Sequence, residues 1–145
     1  MHQFISDPGW LSHETQIAYV SRTSEIKSAE KCLKLIQIEQ EISMNDLGHH
    51  KQIFPGSKIT HFQNLHHETG IPYTNMLFFD NEKRNTLEVS TLGVCSVYTP
   101  YGMTKTAWDI GMDGFTRLHE DLASNKQTLV YHHEDIRQPG YRRYY

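Results

Sequence analysis

Short strand-like runs alternate with amphipathic helical patterns along this chain, and this alternation restricts its fold more than any other feature. The strand-like runs are residues 16–20, 76–79 and 94–98. The helical patterns are residues 26–36, 59–65 and 85–92, with a fourth at residues 115–124. Parallel strands need long crossover connections, which helices supply. The alternation therefore predicts an α/β fold with a mostly parallel sheet and helices on both of its faces.

The length and the turn signals indicate one main domain with two flanking segments. The 145 residues are enough for one domain with its own hydrophobic core. We predict an irregular segment at residues 1–15, the α/β domain at residues 16–125, and a polar, aromatic tail at residues 126–145. Within the domain, the polar stretch 43–52 indicates a loop.

Charge, hydropathy and cysteine content narrow the class of partner. A net charge of −3 gives no general attraction to nucleic acid. No apolar run has the length needed to span a membrane or the pattern of a signal peptide. Cys32 and Cys95 lie in apolar patterns on different elements, which favours buried free thiols in a reducing compartment. We therefore expect a cytoplasmic protein with no nucleic-acid or membrane partner.

An acid at the end of one strand-like run and a lysine in a separate loop are the residues that most suggest chemistry. Asp80 directly follows the run 76–79, and Lys58 follows the Pro-Gly-Ser sequence at 55–57. Ligands of open α/β sheets bind at the carboxyl ends of the strands. A carboxylate there can hold a hard cation, and a lysine beside it can hold a phosphate. The pair predicts half of a Mg²⁺-phosphate site.

Five segments of the chain occur in an order that points to a known family. They are residues 19–26, 53–62, 69–72, 76–85 and 92–94. The longest shared runs are Pro-Gly-Ser-Lys-Ile-Thr-His-Phe and Phe-Phe-Asp-Asn-Glu-Lys-Arg-Asn. Together these segments closely resemble the eukaryotic magnesium-dependent phosphatases of the haloacid-dehalogenase-like (HAD-like) superfamily. The resemblance covers roughly residues 17 to 103, and runs of this length are more specific than a single short motif.

The resemblance implies a Rossmann-like three-layer sandwich and hydrolysis of a phosphomonoester through a phosphoaspartyl intermediate. It implies that Ser21 is the phosphoryl-binding hydroxyl, with Arg22 beside it. It also implies that Lys58 neutralises the phosphoryl group and that Asp80 is a ligand of Mg²⁺. Asn81 stands where relatives often carry a second acid, so a less negative metal site is expected. The implied substrate is a small phosphoester or a phosphotyrosine-type group.

One part of the family pattern has no counterpart here. The family's Asp-x-Asp motif supplies the nucleophile and the general acid/base, but only Asp7 and Glu14 precede Ser21, and both lie in other settings. We therefore expect a truncated form that lacks the family's first strand and does not turn over p-nitrophenyl phosphate. A missing central strand would leave backbone groups unpaired. Weak folding cooperativity, or self-association through an exposed sheet edge, is therefore also expected.

Three interpretations stay open at the level of sequence. The first is a Mg²⁺-dependent phosphatase whose nucleophile motif lies outside the given chain. The second is a catalytically inactive phosphate-binding or regulatory domain derived from the same family. In the third, a separate chain or an oligomer partner supplies the missing strand. An in-frame Asp-x-Asp after an apolar strand upstream of Met1 would favour the first.

Several other patterns also fit ordinary structural roles. Asp80 alone fits a helix cap, and Ser21 alone fits an N-cap. The histidines within residues 61–67 do not have the i,i+4 spacing by which zinc ligands share a helix face. Residues 109–120 imitate a Ca²⁺-binding loop but lack one of its ligands. Cys95 lacks the arginine six residues later that cysteine-based phosphatases use, which favours a core thiol.

Overall fold

Parallel strands joined through helices form the framework of this chain in a computed structural model, which describes residues 15–126 and 131–135. The chain divides into two compact units between Glu68 and Thr69, a division that the sequence pattern did not indicate. Most of the predicted N-terminal segment and most of the predicted tail lie outside the described residues. Their boundaries stay predictions.

The first unit contains a parallel strand pair, a small antiparallel pair and three helices. In chain order these elements are β1 (Ala18–Ser21), α1 (Ile26–Leu35), β2 (Gln37–Glu39), β3 (Ile42–Ser43), α2 (Met44–Leu47), β4 (His50–Ile53) and α3 (Lys58–Thr69). β1 pairs in parallel with β4, with Ser21 opposite Ile53 at the carboxyl end of the pair. β2 and β3 pair antiparallel. Because β1 and β4 run the same way, both deliver their carboxyl ends to one edge.

The predicted loop at residues 43–52 is wrong, because these residues contain α2 and most of β4. The pattern of apolar residues does not predict β4, because one of its buried residues, Gln52, is polar. Gln52 is 6% exposed, and its amide donates to Glu68 Oε1 at 3.0 Å while its own oxygen accepts from Asn64 at 3.0 Å. Hydrogen bonds of this kind offset the cost of burying an amide. They also attach β4 to α3.

The segment between β1 and α1 also differs from its prediction. The sequence allowed Ser21 as an N-cap, but the N-cap of α1 is Glu25, which makes no side-chain cap bond. Instead, Ser21 Oγ accepts from the Thr23 amide at 3.3 Å, and Thr23 Oγ1 accepts from the Glu25 amide at 3.0 Å. Cys32 on α1 is exposed, so the prediction of two buried thiols is correct only for Cys95.

The second unit contains a three-stranded parallel sheet. After a short 3-10 helix (Tyr73–Asn75), its elements are β5 (Leu77–Asp80), α4 (Lys83–Ser90), β6 (Cys95–Tyr98), α5 (Lys105–Ala123) and β7 (His132–Glu134). The strands lie in the order β5-β6-β7, and every pair is parallel. Strand, helix and strand repeat as in a Rossmann-like protein. The predicted α/β class is confirmed.

Helix α5 is longer than the sequence pattern predicted, because it begins at Lys105 rather than near residue 115. Two ion pairs lie on its exposed surface, Lys105 with Asp109 and Arg117 with Asp113. Because α5 extends from Lys105 to Ala123, the segment 109–120 that imitates a Ca²⁺-binding loop is helical throughout. A helix cannot wrap its side chains around one ion as that loop does, so the Ca²⁺ hypothesis is wrong.

Two glycines in α5 explain both why the helix was partly missed and how it meets the sheet. A side-chain carbon added at Gly111 would stand 2.6 Å from Phe79 Cζ, and one at Gly114 would stand 2.4 Å from His133 Nε2. Glycine disfavours an isolated helix by about 1 kcal/mol relative to alanine. Close contact with the strands therefore decides these two positions. β7, which carries His133, was not predicted because its sequence His-His-Glu has no strand signal.

Substitution Gly114→Ala is expected to lower the free energy of unfolding by about 1–3 kcal/mol, because the new methyl group overlaps the His133 ring. Urea unfolding followed by circular dichroism measures the change. In a His133→Ala background the same substitution should be neutral or stabilising, since alanine favours a helix. An equal loss in both backgrounds would show that the ring contact is not the cause.

The free energy of unfolding is also expected to fall at acid pH. His133 Nε2 is buried and has no hydrogen-bond partner among the described residues. Burial, followed by the charges of Arg117 and His132, lowers the pKa of His133, although Asp113 acts in the opposite direction. Burial likewise lowers the pKa of His132. The unfolded chain therefore binds more protons than the folded chain once the pH falls below about 6.5.

The stabilisation from the neutral histidines is fully present above that pH and is lost as the pH falls through the folded-state pKa values. Urea midpoints measured at pH 7.5 and pH 5.5 test this, and the midpoint should be lower at pH 5.5. The difference should shrink in His133→Gln, which cannot titrate. A wild-type midpoint that is equal or higher at pH 5.5 would contradict the expected sign.

Candidate active site

The carboxyl end of β1 brings together two of the predicted site residues. Ser21 is the last residue of β1, and Lys58 is the first residue of α3. Lys58 is only 5% exposed, and its ammonium group donates to the carbonyl oxygen of Val20 at 2.8 Å. Lysine is almost never fully buried unless it is paired. The Lys58 ammonium therefore lies beside the residue that precedes Ser21, rather than in solvent.

The loop between β4 and α3 explains how Lys58 reaches this position. Gly56 has φ of +128°, in a region that side-chain-bearing residues rarely adopt. Ser57 follows, and its Oγ accepts from the Ile59 amide at 3.2 Å. The chain thus turns sharply after β4, and α3 begins at the edge where β1 and β4 end. A helix N-terminus presents N–H groups and a partial positive charge, both of which favour an anion.

Ser21 lies half-buried in the turn that leaves β1. Its Oγ accepts from the Thr23 amide, and a hydroxyl group can accept one hydrogen bond while it donates another. The group can therefore both shape the turn and donate to an oxygen of a ligand. Arg22, the next residue, is also half-buried and belongs to the same turn.

Asp80 ends β5 in the second unit, and two neighbours hold its carboxylate in place. Oδ1 accepts from the Glu82 amide at 2.7 Å, and Oδ2 accepts from the Asn85 side chain at 3.2 Å. Asn85 is 2% exposed, so its amide is fixed by the packing of α4. Asp80 does not cap α4, because the N-cap of that helix is Glu82 and no side-chain cap bond is made there. The bonds from Glu82 and Asn85 orient the carboxylate, whose oxygens can each accept further partners. Asn81 is exposed.

Two buried polar residues at the carboxyl edge of the β5-β6-β7 sheet were not singled out from the sequence. Thr99 follows β6, is 2% exposed, and donates from its amide to the Asp80 carbonyl at 2.8 Å. Asp135 follows β7, is fully buried, and accepts from Thr104 Oγ1 at 3.1 Å. Only the pairing of β7 with β6 brings Asp135 to this edge. No local sequence signal could have found it.

The predicted site residues therefore fall into two groups. Ser21, Arg22 and Lys58 belong to the first unit, and the structure brings the Lys58 ammonium to the strand end that carries Ser21. Asp80 belongs to the second unit. The convergence of Asp80 with the other three residues around one phosphoryl group stays a prediction, as do their individual roles.

Other candidate chemistries find little support in the described part of the chain. No group of three or more His, Cys, Asp or Glu side chains in residues 15–126 and 131–135 is arranged to hold a metal ion. Cys95 is fully buried, and burial raises the pKa of its thiol to about 11. It is therefore a protonated core thiol near neutral pH, as its sequence pattern indicated, rather than a thiolate nucleophile.

Residues 3–118 match a family model described as acid phosphatase. The chain belongs to the acid phosphatase family. It is also similar to magnesium-dependent phosphatase 1 of Homo sapiens, with 41% identity over 100 residues that cover 69% of this chain and 53% of the relative. A HAD-like hydrolase superfamily protein of Schizosaccharomyces pombe is 36% identical over 86 residues, which cover 57% of this chain and 49% of the relative.

These matches confirm the resemblance to the HAD-like phosphatases that the sequence motifs indicated. The chain spans about half the length of the curated relatives it matches. Among the helices that the structure describes, none is both long and apolar enough to cross a membrane.

Proposed function

We propose that this acid phosphatase family member binds phosphomonoesters together with Mg²⁺ and acts in their hydrolysis. In this proposal Ser21, Arg22 and Lys58 bind the phosphoryl group, and Asp80 holds the metal ion. The burial of Lys58 against the Val20 carbonyl, one residue before Ser21, is the observation that supports it most strongly. A surface lysine with no role would keep its ammonium group in water.

The chemistry of phosphoryl transfer accounts for these residue types. Most of the catalysis consists of positioning and of neutralising charge on the phosphoryl oxygens. A buried ammonium group interacts more strongly with those oxygens than a solvated one, because the local dielectric constant is lower. The Ser21 hydroxyl and the N-terminus of α3 add donors at the same strand end. Together they would hold the phosphoryl group in one orientation.

The carboxylate of Asp80 is a hard oxygen donor of the kind that Mg²⁺ prefers. Its bonds to the Glu82 amide and the Asn85 side chain fix its direction, as neighbours of metal-binding carboxylates usually do. One carboxylate with water molecules makes a weak site, and a substrate phosphate strengthens it. When bound, the ion would neutralise charge on the phosphoryl oxygens.

The presence or absence of an attacking carboxylate is the difference between two candidate functions, a phosphatase and a phosphate-binding or regulatory domain. No Asp-x-Asp motif occurs in the 145 residues, so a phosphatase would need its attacking carboxylate from residues beyond those identified here or from another chain. That same observation favours a phosphate-binding or regulatory domain as the second candidate. Turnover of p-nitrophenyl phosphate would favour the phosphatase, whereas its absence is expected of both candidates. We expect the 145-residue chain to bind phosphate without turnover.

We also propose a small phosphoester or a phosphotyrosine-type group as the substrate class, and a cytoplasmic location.

Self-association through a sheet edge is part of the same proposal. It is supported by the described pairing, in which β1 and β4 form a sheet of two strands. Strand edges with unpaired backbone groups can pair with a second copy. Sedimentation velocity over a range of protein concentrations measures this association.

Substitution Lys58→Met is expected to weaken binding of inorganic phosphate by about 10- to 100-fold, because it removes a charge-assisted hydrogen bond worth about 1.5–3 kcal/mol. Isothermal titration calorimetry of the 145-residue chain with MgCl₂ present measures the affinity. The matched control is Lys27→Met, which removes an exposed lysine from α1 in the same unit. Equal affinities in the Lys58 variant and the wild type would remove the main support for a phosphoryl site.

Substitution Asp80→Asn is expected to abolish the effect of Mg²⁺ on phosphate affinity, while phosphate binding without Mg²⁺ changes little. The amide keeps the size of the carboxylate but loses the negative charge that binds the ion. Titrations with and without MgCl₂ measure this coupling. Asp109→Asn, an exposed acid on α5, is the control. If Mg²⁺ strengthens phosphate binding equally in both variants, Asp80 is not the metal ligand.

If the chain does turn over p-nitrophenyl phosphate, the Asp80→Asn variant tests whether the hydrolysis depends on Mg²⁺ held by Asp80. Turnover that requires Mg²⁺ and is lost in Asp80→Asn supports the phosphatase over the binding domain. Phosphate binding without turnover fits both candidates, because the 145 residues contain no Asp-x-Asp motif.

A further inference from the structure

Among the described residues of the first unit, His61 is the most completely buried large side chain, and its ring nitrogens lie against backbone carbonyls. The ring has no exposed surface. Its Nε2 lies 2.8 Å from the Phe54 oxygen and 3.1 Å from the Ser21 oxygen, and its Nδ1 lies 2.9 Å from the Ser57 oxygen. The ring also stacks on Phe54, with centroids 3.9 Å apart and planes at 9°.

These contacts join the three segments that position the candidate phosphoryl site. Ser21 ends β1, Phe54 directly follows β4, and Ser57 directly precedes α3. The Ser21 oxygen also accepts from the Phe54 amide at 3.1 Å, so the two strand ends are bonded to each other as well as to His61. Because His61 is itself a residue of α3, its Nε2 contacts link both strand ends to that helix.

The Nε2–H group of His61 is the donor that holds the two strand ends. Carbonyl oxygens only accept hydrogen bonds, so the Nε2–H tautomer shares its one N–H between the two strand-end carbonyls. Nδ1 then carries a lone pair and does not donate to the Ser57 oxygen. The Ser21 carbonyl also accepts from the Phe54 amide, so the Phe54 carbonyl depends more strongly on the His61 donor. A buried carbonyl that loses its donor is destabilised. An apolar side chain of similar size could fill the space but could not donate to either strand end.

Lys58 and His61 act on neighbouring residues of the same strand. They lie three residues apart on α3 and hence on one face of the helix. Lys58 donates to the Val20 carbonyl, and His61 donates to the Ser21 carbonyl. The position of the lysine ammonium relative to Ser21 therefore depends on how this helix face is attached to the end of β1.

We propose that His61 is a positioning residue of the phosphoryl site, which fixes Ser21 and Lys58 relative to each other by donating to the carbonyls at the ends of β1 and β4. The inference rests on the proposed function of Ser21 and Lys58, since it assigns His61 no contact with the substrate. It differs from an ordinary core role, in which His61 would affect stability alone.

Two substitutions separate the donor from the volume of the ring. His61→Phe keeps an aromatic ring for stacking on Phe54 but has no donor. His61→Gln loses the ring but can place an amide N–H near the position of Nε2. Leu65→Ala is the stability control, because Leu65 is buried on the same helix and its loss costs stability without removing any of these bonds.

Phosphate affinity of the 145-residue chain is measured by calorimetry with MgCl₂, at a temperature where circular dichroism shows all variants folded. We expect His61→Phe to weaken phosphate binding by about tenfold or more, corresponding to about 1.4 kcal/mol. His61→Gln and Leu65→Ala should stay within about threefold of the wild type. Wild-type affinity in His61→Phe, or an equal loss in Leu65→Ala, would overturn the proposal.

A second measurement keeps this inference separate from the proposed function. Hydrogen exchange of the Phe54 amide reports its bond to Ser21, and acylation of Lys58 reports its burial against Val20. Both should be faster in His61→Phe than in either His61→Gln or Leu65→Ala. That pattern supports positioning by His61 even if the wild type binds no phosphate, which would count only against the proposed function. Unchanged exchange and acylation in His61→Phe would overturn the positioning role.

Discussion

Donation from buried side chains to backbone carbonyls at the ends of β1 and β4 is the interaction on which the first unit depends. A buried ammonium group such as that of Lys58 is costly unless it is paired, and a buried carbonyl without a donor is costly as well. Each therefore compensates for the other at the Val20 carbonyl. His61 makes the corresponding contacts at Ser21 and Phe54. The same bonds that hold α3 against the strands place a positive charge at their carboxyl ends.

In the second unit, close packing of α5 against the sheet holds the helix to the strands. Gly111 and Gly114 allow α5 to lie against Phe79 and His133, and α5 provides the crossover from β6 to β7. The parallel register then places Asp80 opposite Tyr98. Polar side chains collect at this edge because parallel strands all end on the same side. The carboxylate that we propose as the metal ligand is thus positioned by strand pairing and oriented by the Glu82 amide and the Asn85 side chain.

Family membership and geometry contribute different parts of the functional argument. The match over residues 3–118 gives the family, but it does not say which side chains of this chain meet a substrate. The burial of Lys58 beside the end of β1 gives that match a physical basis in the first unit. Phosphoryl transfer requires fixed donors more than it requires reactive ones. The phosphate binding that we propose for this chain therefore does not depend on whether it also carries the nucleophile.

The sequence by itself determined the α/β class, the family, and the candidate residues Ser21, Lys58 and Asp80, because apolar periodicity and long motifs are local properties of the chain. It could not reveal β4, whose buried Gln52 is paired through α3, or β7, whose His-His-Glu sequence becomes a strand only beside β6. It also could not give a role to His61, because the three carbonyls around that ring come from segments that only folding brings together. Local patterns report propensity and periodicity, whereas the pairing of buried polar groups is decided by contacts between residues far apart in the chain.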